Sequence, residues 1–380
     1  MDFLLTESQS MIRDTAERVV REHYDFGAKR KISESLSTKS NRDMPGFWER
    51  IAELGLLGVG IDEAYGGTGG NFIDRSLVLE AFGRGLVTEP YIASAVVCAD
   101  LVAEAGSTAQ KDTILSGIVD GSRKLAFAHG ETGSFEPAAS IQTVAEKSGD
   151  GYRINGNKMV VIGGDAADTF IVSARLGAGT SPAKELSLFL VSANAPGVSV
   201  RRYPTVDGTG AADVALRDVS VGPADILGIA GKAAAHIDRA LDRAIAAYCC
   251  AAIGTMSALN ALTLDYLKTR KQFGRTIGSF QVLQHRMVDM TIAEELAKSM
   301  AIYAADQADN SNAGERTKAM SAAKAQIGEA ARTIGHGAIQ LHGGIGLTDE
   351  YSASHYFKRL TAFELSFGGT NEHLTRYATL

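Results

Sequence analysis

Three cysteines in 380 residues, Cys98, Cys249 and Cys250, are too few for a disulfide framework, and no CxxC or His/Cys spacing offers a zinc site. The adjacent Cys249 and Cys250 lie in an apolar helical run and read as small core residues. Basic excess is also missing: a net charge of −6 leaves no footprint for nucleic acid. The one dense basic cluster, Lys29-Arg30-Lys31, reads as a solvated face. The N-terminal Met1-Asp2-Phe3-Leu4-Leu5 has no basic region before its short apolar stretch. No secretory signal is therefore expected, and a reducing, cytoplasmic setting follows. A membrane span is not expected either. Ala244 to Leu264 carries no charge, but its alanines, with Tyr248, Gly254, Thr255, Ser257, Asn260 and Thr263, make it weakly apolar. A central helix packed on several neighbours explains it better.

What is present is an ordinary globular composition, 45% hydrophobic and 22% charged, on a chain long enough for one large domain or two to three smaller ones. The first 120 or so residues read as helical. Thr6-Glu7-Ser8-Gln9 fits a capping box, and Ile12, Ala16, Val19 and His23 follow at helical spacing. Trp48 to Leu57 is a second amphipathic stretch, ending near the turn Gly66-Gly67-Thr68-Gly69-Gly70. That turn lacks the Lys-Ser/Thr of a phosphate loop and reads as a connector. From about Leu125 to Gly228 short alternating runs appear, among them Tyr152 to Asn155, Thr169 to Ala174 and Leu186 to Val191, punctuated by glycine turns. Long helices return from about Ala233. Leu283, Met287, Met290, Ala293, Ala297, Met300 and Ala304 form one apolar stripe, which suggests a bundle that packs on other helices, including those of other subunits.

Several segments carry a family resemblance. Glu53 to Gly58 with Glu63 to Gly67, Asn155 to Met159, Leu267 to Gly274 and Gln340 to Gly346 resemble signatures of the acyl-CoA dehydrogenases, and the likeness runs over essentially the whole chain. Among family branches the chain looks most like the small subunit of pimeloyl-CoA dehydrogenase and related two-subunit enzymes. The resemblance implies an α+β fold with an N-terminal helical domain (1–122), a middle β-barrel domain (123–230) and a C-terminal four-helix bundle (231–380). It implies FAD as cofactor, an acyl-CoA thioester as substrate and electron-transfer flavoprotein as acceptor. It also places Arg270 at the flavin pyrophosphate and Phe273 at the adenine end, with Gln281, Gln340 and Gly344 completing the cradle and Ser134 and Thr370 as further cofactor contacts. The chemistry fits those types. A guanidinium offers a planar fork to phosphate oxygens, and glycine lets a ligand approach the backbone.

Four departures from the family pattern fall on the reacting groups. Gly368 stands where the glutamate base usually lies, and Ala244 where some relatives carry it instead. Ile245 replaces an arginine that relatives often use for the CoA ester, and Val160-Val161-Ile162 replaces the Trp-Ile-Thr beside the flavin ring. The retained motifs face the nucleotide; the lost ones face ring and substrate. This asymmetry predicts a subunit that lacks its own base and completes the FAD site of a glutamate-bearing partner in a heterotetramer. A self-sufficient homo-oligomer remains open, with the base relocated to Glu364, Glu372 or Asp242. So do a flavin-dependent monooxygenase of the same fold and a purely structural subunit. No histidine shows metal spacing, and His342 stands out only as a resident of the flavin motif.

Overall fold

Thr6 opens the first helix as its spacing predicts. In a computed structural model, which describes residues 5–39, 46–131, 141–177 and 185–380, the Thr6 hydroxyl accepts from the Gln9 backbone N–H while the Gln9 side chain accepts from the Thr6 N–H. Helix α1 (Glu7–His23) follows, burying Ala16, Val19 and Val20. The other helices are α2 (Phe26–Lys39), α3 (Phe47–Glu53), α4 (Phe72–Arg84), α5 (Ala99–Ala105), α6 (Thr108–Val119), α7 (Ala234–Thr269), α8 (Gln281–Gln307), α9 (Ala313–His342), α10 (Ser352–Leu365) and α11 (Thr370–Thr379). A π-helical segment, Ile92–Cys98, leads into α5.

The chain forms two compact units. One is helical, built from residues up to Lys29, from Asn71–Val87 and from Ile245–Leu380. In it α9 packs against α8, α10 and α11, and α4 against α1 and α8. The apolar stripe on α8 faces inward as expected, with Met287, Met290, Ala297 and Ala304 buried. The passage of α7 over α4 is unusually close. A Cβ on Gly83 would lie 1.8 Å from the Ala251 carbonyl oxygen, and one on Gly254 would lie 1.8 Å from that of Glu80. Thr255 donates its hydroxyl to the Gly83 carbonyl at 3.1 Å across the same contact. Helix α7 is long and apolar enough to cross a bilayer, yet 67% of its most apolar window is buried in the protein, as a core helix requires.

The second unit, Arg30–Gly70 with Thr88–Ala244, holds the β structure. Its strands are β1 (Leu125–Ala128), β2 (Val144–Ser148), β3 (Gly151–Ile162), β4 (Thr169–Leu176), β5 (Leu186–Ser192), β6 (Val198–Pro204), β7 (Gly210–Val221) and β8 (Ile226–Leu227). They pair in the order β6-β7-β3-β2-β4-β5-β8, with β1 parallel to β4. The end strands β6 and β8 do not pair with each other among the described residues. The core of the sheet includes Ile154, Phe170, Val172 and Phe189 from the alternating runs read in the sequence, joined by Val214 and Leu216 of β7.

The basic cluster is a correction. Lys29 is 2% exposed, and its ammonium donates to His355 Nδ1 at 2.6 Å. The His355 Nε2–H in turn donates to the Asp349 carbonyl at 2.9 Å. Local sequence shows a charge run; the partner lies 326 residues away.

Because the atoms facing Gly83 and Gly254 are backbone, they cannot rotate aside. Gly83→Ala or Gly254→Ala should each destabilise the fold by about 2 kcal/mol or more, seen as a lowered midpoint in thermal unfolding. An unchanged midpoint in both variants would contradict the contact.

Candidate cofactor site

Most of the residues that the family resemblance assigns to the nucleotide lie near the adjoining ends of α7 and α9 in the helical unit. Helix α7 closes with the Arg270 N–H donating to the Tyr266 carbonyl at 2.9 Å, leaving the Arg270 side chain exposed. A hairpin follows, β9 (Lys271–Gln272) with β10 (Arg275–Thr276), turned by Phe273 and Gly274 at φ of +54° and +78°. Two positive φ values define the tight turn that matches strand twist, and glycine takes one at no cost. Phenylalanine does so at about 1–2 kcal/mol. Its ring is nevertheless 89% exposed, in edge contact with Phe280 at 6.0 Å, while the Arg275 guanidinium lies 4.1 Å over the Phe280 ring. Gln281 is exposed at the first position of α8.

At the end of α9, Gln340 is exposed and Gly343 ends the helix at φ +64°. No described atom lies within 4 Å of the place a Cβ on Gly344 would take. Its φ is not in the left-handed region either, so this chain itself gives no reason for glycine there. Tyr266 of α7 packs on His342 of α9 at 4.6 Å between ring centroids, which brings the ends of the two helices together. Thr370 is elsewhere. Its hydroxyl lies 2.6 Å from where a Cβ on Gly328 would sit, and Gly328 is about 21 Å along α9 from His342 at 1.5 Å rise per residue. Ser134 lies outside the described residues.

The Gly368 segment is a pinned turn. Phe367 and Gly368 have φ of +56° and +95°. The Lys324 ammonium donates to the Gly368 carbonyl at 2.8 Å and to that of Glu364 at 3.0 Å, and the His373 Nε2–H donates to the Phe367 carbonyl at 2.7 Å. Burial lowers Lys324 to about 8 and His373 to about 4. The carboxylates nearby are engaged in the same turn. Glu372 accepts from the Gly369 N–H at 2.7 Å, and Glu364 accepts from the Thr370 N–H at 3.2 Å with Arg332 at 3.9 Å. Ala244 and Ile245 are buried on α7, and Asp242 is buried as well.

In the sheet unit, Val160 sits at φ +51° beside an irregularity in the β3–β7 register. A β-branched residue there is a backbone outlier, and its side chain is 53% exposed. The strain is held by the Val160 N–H donating to Asp213 Oδ1 at 3.1 Å, with the Tyr203 hydroxyl on the same oxygen at 2.6 Å and Arg201 paired to the carboxylate. Beneath lies a buried pair. Lys158 Nζ meets Glu131 Oε1 at 2.7 Å and donates to the His129 carbonyl and to Ser173 Oγ, each at 3.2 Å. Burial lowers Lys158 to about 8, and burial together with Lys158 takes His129 down to about 3. Sequence reasoning met Lys158 only as part of the Asn155–Met159 segment, with no buried role, and named neither Lys324 nor Asp213. The available signal was a lone lysine at the start of the apolar Met159–Ile162 run and another, Lys324, among the small residues of α9.

Three family profiles cover nearly all of the chain: the acyl-CoA dehydrogenase N-terminal domain over residues 6–122, the middle domain over 126–219 and the C-terminal domain over 228–378. The chain belongs to the acyl-CoA dehydrogenase family, whose members are FAD-dependent flavoproteins that oxidise acyl-CoA thioesters. It is 30% identical to the probable acyl-CoA dehydrogenase YngJ of Bacillus subtilis (strain 168), over 97% of this chain and 96% of that protein. Among solved structures, a variant of the Tcur3481–Tcur3483 steroid ACAD matches at 31% identity and TM-score 0.86, covering 98% of this chain and 97% of that one. The ChsE4–ChsE5 complex from Mycobacterium tuberculosis matches at 26% identity and TM-score 0.87, covering 100% of this chain and 98% of that one.

The residues fit the nucleotide half of FAD. Gly344 fronts open space, Arg270 and Phe273 project from the same end, and His342 Nε2 is a buried polar atom with no hydrogen-bond partner among the described residues.

Two outcomes test this geometry. The His373 pKa in the folded protein, about 4, lies below its ordinary 6.5, so between those values the unfolded chain binds more protons. The stability from neutral His373 is therefore complete above pH 6.5 and lost as pH falls towards 4. Urea midpoints measured across that window should drop, and His373→Gln should flatten the drop. Val160→Gly relieves the strained φ and removes little packing, so the variant should unfold at the parent's denaturant midpoint or above it.

Proposed function

We propose that this chain is the base-deficient subunit of an FAD-dependent acyl-CoA dehydrogenase and completes the cofactor site of a glutamate-bearing partner. The observation that carries this reading is the Gly368 turn. At φ +95° its backbone takes a conformation that side-chain-bearing residues rarely adopt. Lys324 and His373 hold that turn through its carbonyls, so the position is built for glycine.

The chemistry needs a base because a thioester α-carbon is a weak acid, and a positioned general base contributes about 10²–10⁴-fold. FAD, when bound, supplies the hydride acceptor. On this chain Arg270 would pair with the pyrophosphate through its guanidinium fork, with Phe273 towards the adenine. Gln281, Gln340 and Gly344 would line the approach, and Thr370 and Ser134 would serve as further contacts. The distance along α9 between Thr370 and the Gln340–Gly344 end accords with contacts made to different parts of an extended cofactor, or to two cofactors in an assembly. The replacement bases are weakened as candidates: Glu372 and Glu364 both accept backbone N–H bonds of the α11 start.

Similarity to the ChsE4–ChsE5 complex and to the Tcur3481–Tcur3483 steroid ACAD supports a two-chain assembly and a bulky, ring-bearing acyl-CoA thioester as substrate. Electron-transfer flavoprotein is the acceptor this reading assigns. The decisive comparison is turnover of a steroid acyl-CoA thioester by the purified lone chain and by the assembly isolated from its host. The lone chain should fall at least about 100-fold below the assembly. Gly368→Glu should not rescue it, because the turn disfavours the new side chain. Full activity of the lone chain, lost in Glu364→Gln or Glu372→Gln, would replace this reading with a relocated base.

A further inference from the structure

His355 is buried near the start of α10 and meets two partners through its two ring nitrogens. On one side the Lys29 ammonium, buried near the start of α2, lies 2.6 Å from Nδ1. On the other, Nε2 lies 2.9 Å from the Asp349 carbonyl oxygen and 3.3 Å from Asp349 Oδ1. A carbonyl can only accept, so Nε2 carries a proton and Nδ1 offers its lone pair to Lys29. The two facing nitrogens therefore share a single proton, and the pair holds one positive charge. Phe26 meets the imidazole edge-on at 4.8 Å, and Lys358 reaches Asp349 Oδ1 at 3.2 Å. The charged groups facing His355 are thus Lys29 from α2, Asp349 from the turn before α10 and Lys358 from α10 itself. Burial, the largest influence, holds the imidazole below its ordinary 6.5. Lys29 and Lys358 push the same way, and Asp349 opposes through its carbonyl and its carboxylate.

We propose that His355 is a pH-operated latch on the start of α2: neutral, it holds Lys29; with a second proton on the pair, it releases Lys29 and keeps Asp349. The charge balance dictates this order. A proton added at Nδ1 removes the lone pair that Lys29 uses and sets two cations 2.6 Å apart in a buried site. The Nε2–H bond to Asp349 survives the change, and the neighbouring carboxylate favours the imidazolium. Lys29 is the member that must move. Its departure loosens the start of α2, where the Ala28 and Lys29 N–H groups are held by Asp25. The released state takes up the extra proton more readily than the latched one. The latch is therefore complete above about pH 6.5 and weakens as pH falls below that value.

Hydrogen exchange of the intact chain, followed by mass spectrometry from about pH 7.5 to about pH 5 and corrected for the intrinsic rate at each pH, tests the latch. Protection of the amides from Ala28 to Ser33 should fall by up to about tenfold per pH unit below about pH 6.5, while the amides of α9 keep theirs. A loss no greater there than in α9, as His373 or global opening would give, overturns the proposal. His355→Gln offers Lys29 an acceptor and Asp349 a donor but does not titrate, so local protection in this variant should be flat with pH. An unchanged pH profile in His355→Gln also overturns the latch, because another group must then be titrating. Lys29→Met gives a second readout that does not depend on how glutamine fits. Without the facing ammonium, the His355 ring followed by NMR should titrate at higher pH than in the parent. A merely structural Lys29 would lower stability equally at every pH and leave that titration in place, and this result counts against the proposal.

Discussion

The placement of α7 against α4 is the constraint on which the helical unit depends. Two glycines, Gly83 and Gly254, let backbone touch backbone, and the Thr255 hydroxyl spans the contact. At that separation α7 becomes an interior helix, and its lack of charge is a consequence of position rather than of a membrane. Its last turn then meets the end of α9 through Tyr266 and His342, so the hairpin bearing Phe273 emerges beside the glycine shelf at Gly343 and Gly344. A packing requirement in the middle of one helix thus sets the site at its end.

Five described non-glycine residues hold positive φ; Leu86 and Asp218 lie outside the segments singled out by the sequence, and the other three lie within them. Phe273, Val160 and Phe367 all hold positive φ without being glycine. Each lies in a segment that the family resemblance assigns to the cofactor or to the reacting groups. Such conformations persist where surrounding bonds over-determine them. At Val160 the bond comes from Asp213, and at Phe367 from His373. On the sheet side this scaffolding surrounds Val160-Val161-Ile162, where the family resemblance would place an aromatic and a hydroxyl. The Gly368 turn shows the opposite adaptation, a backbone shaped around the absence of a side chain.

The element order, the inward face of α8, the alternation of the strands and the core character of α7 were all legible in the sequence. They are local: they follow from period, capping and the small set of turn residues. The motifs that the resemblance assigns to the nucleotide are readable for a related reason, since Arg270 to Gly274 and Gln340 to Gly346 are short contiguous runs. The buried ionic and polar contacts were not. Lys29 looked solvated within a basic run, and its burial against His355 depends on a helix over three hundred residues away. The Lys158–Glu131 and Lys324–Gly368 contacts likewise join distant segments, and a lone lysine in a helix or strand does not announce its acceptor.

By itself the sequence determined the family, the alternation of helical and β segments, and which chemical groups are present or missing, because these are properties of residue identity and spacing. Only the tertiary structure decided what the missing groups left behind. It showed the Gly368 segment as a turn pinned by Lys324 and His373. It also turned Lys29 from a member of a basic run into a buried donor to His355. Both outcomes rest on directional bonds between segments far apart in the chain, and the geometry of such bonds exists only once the helices have packed.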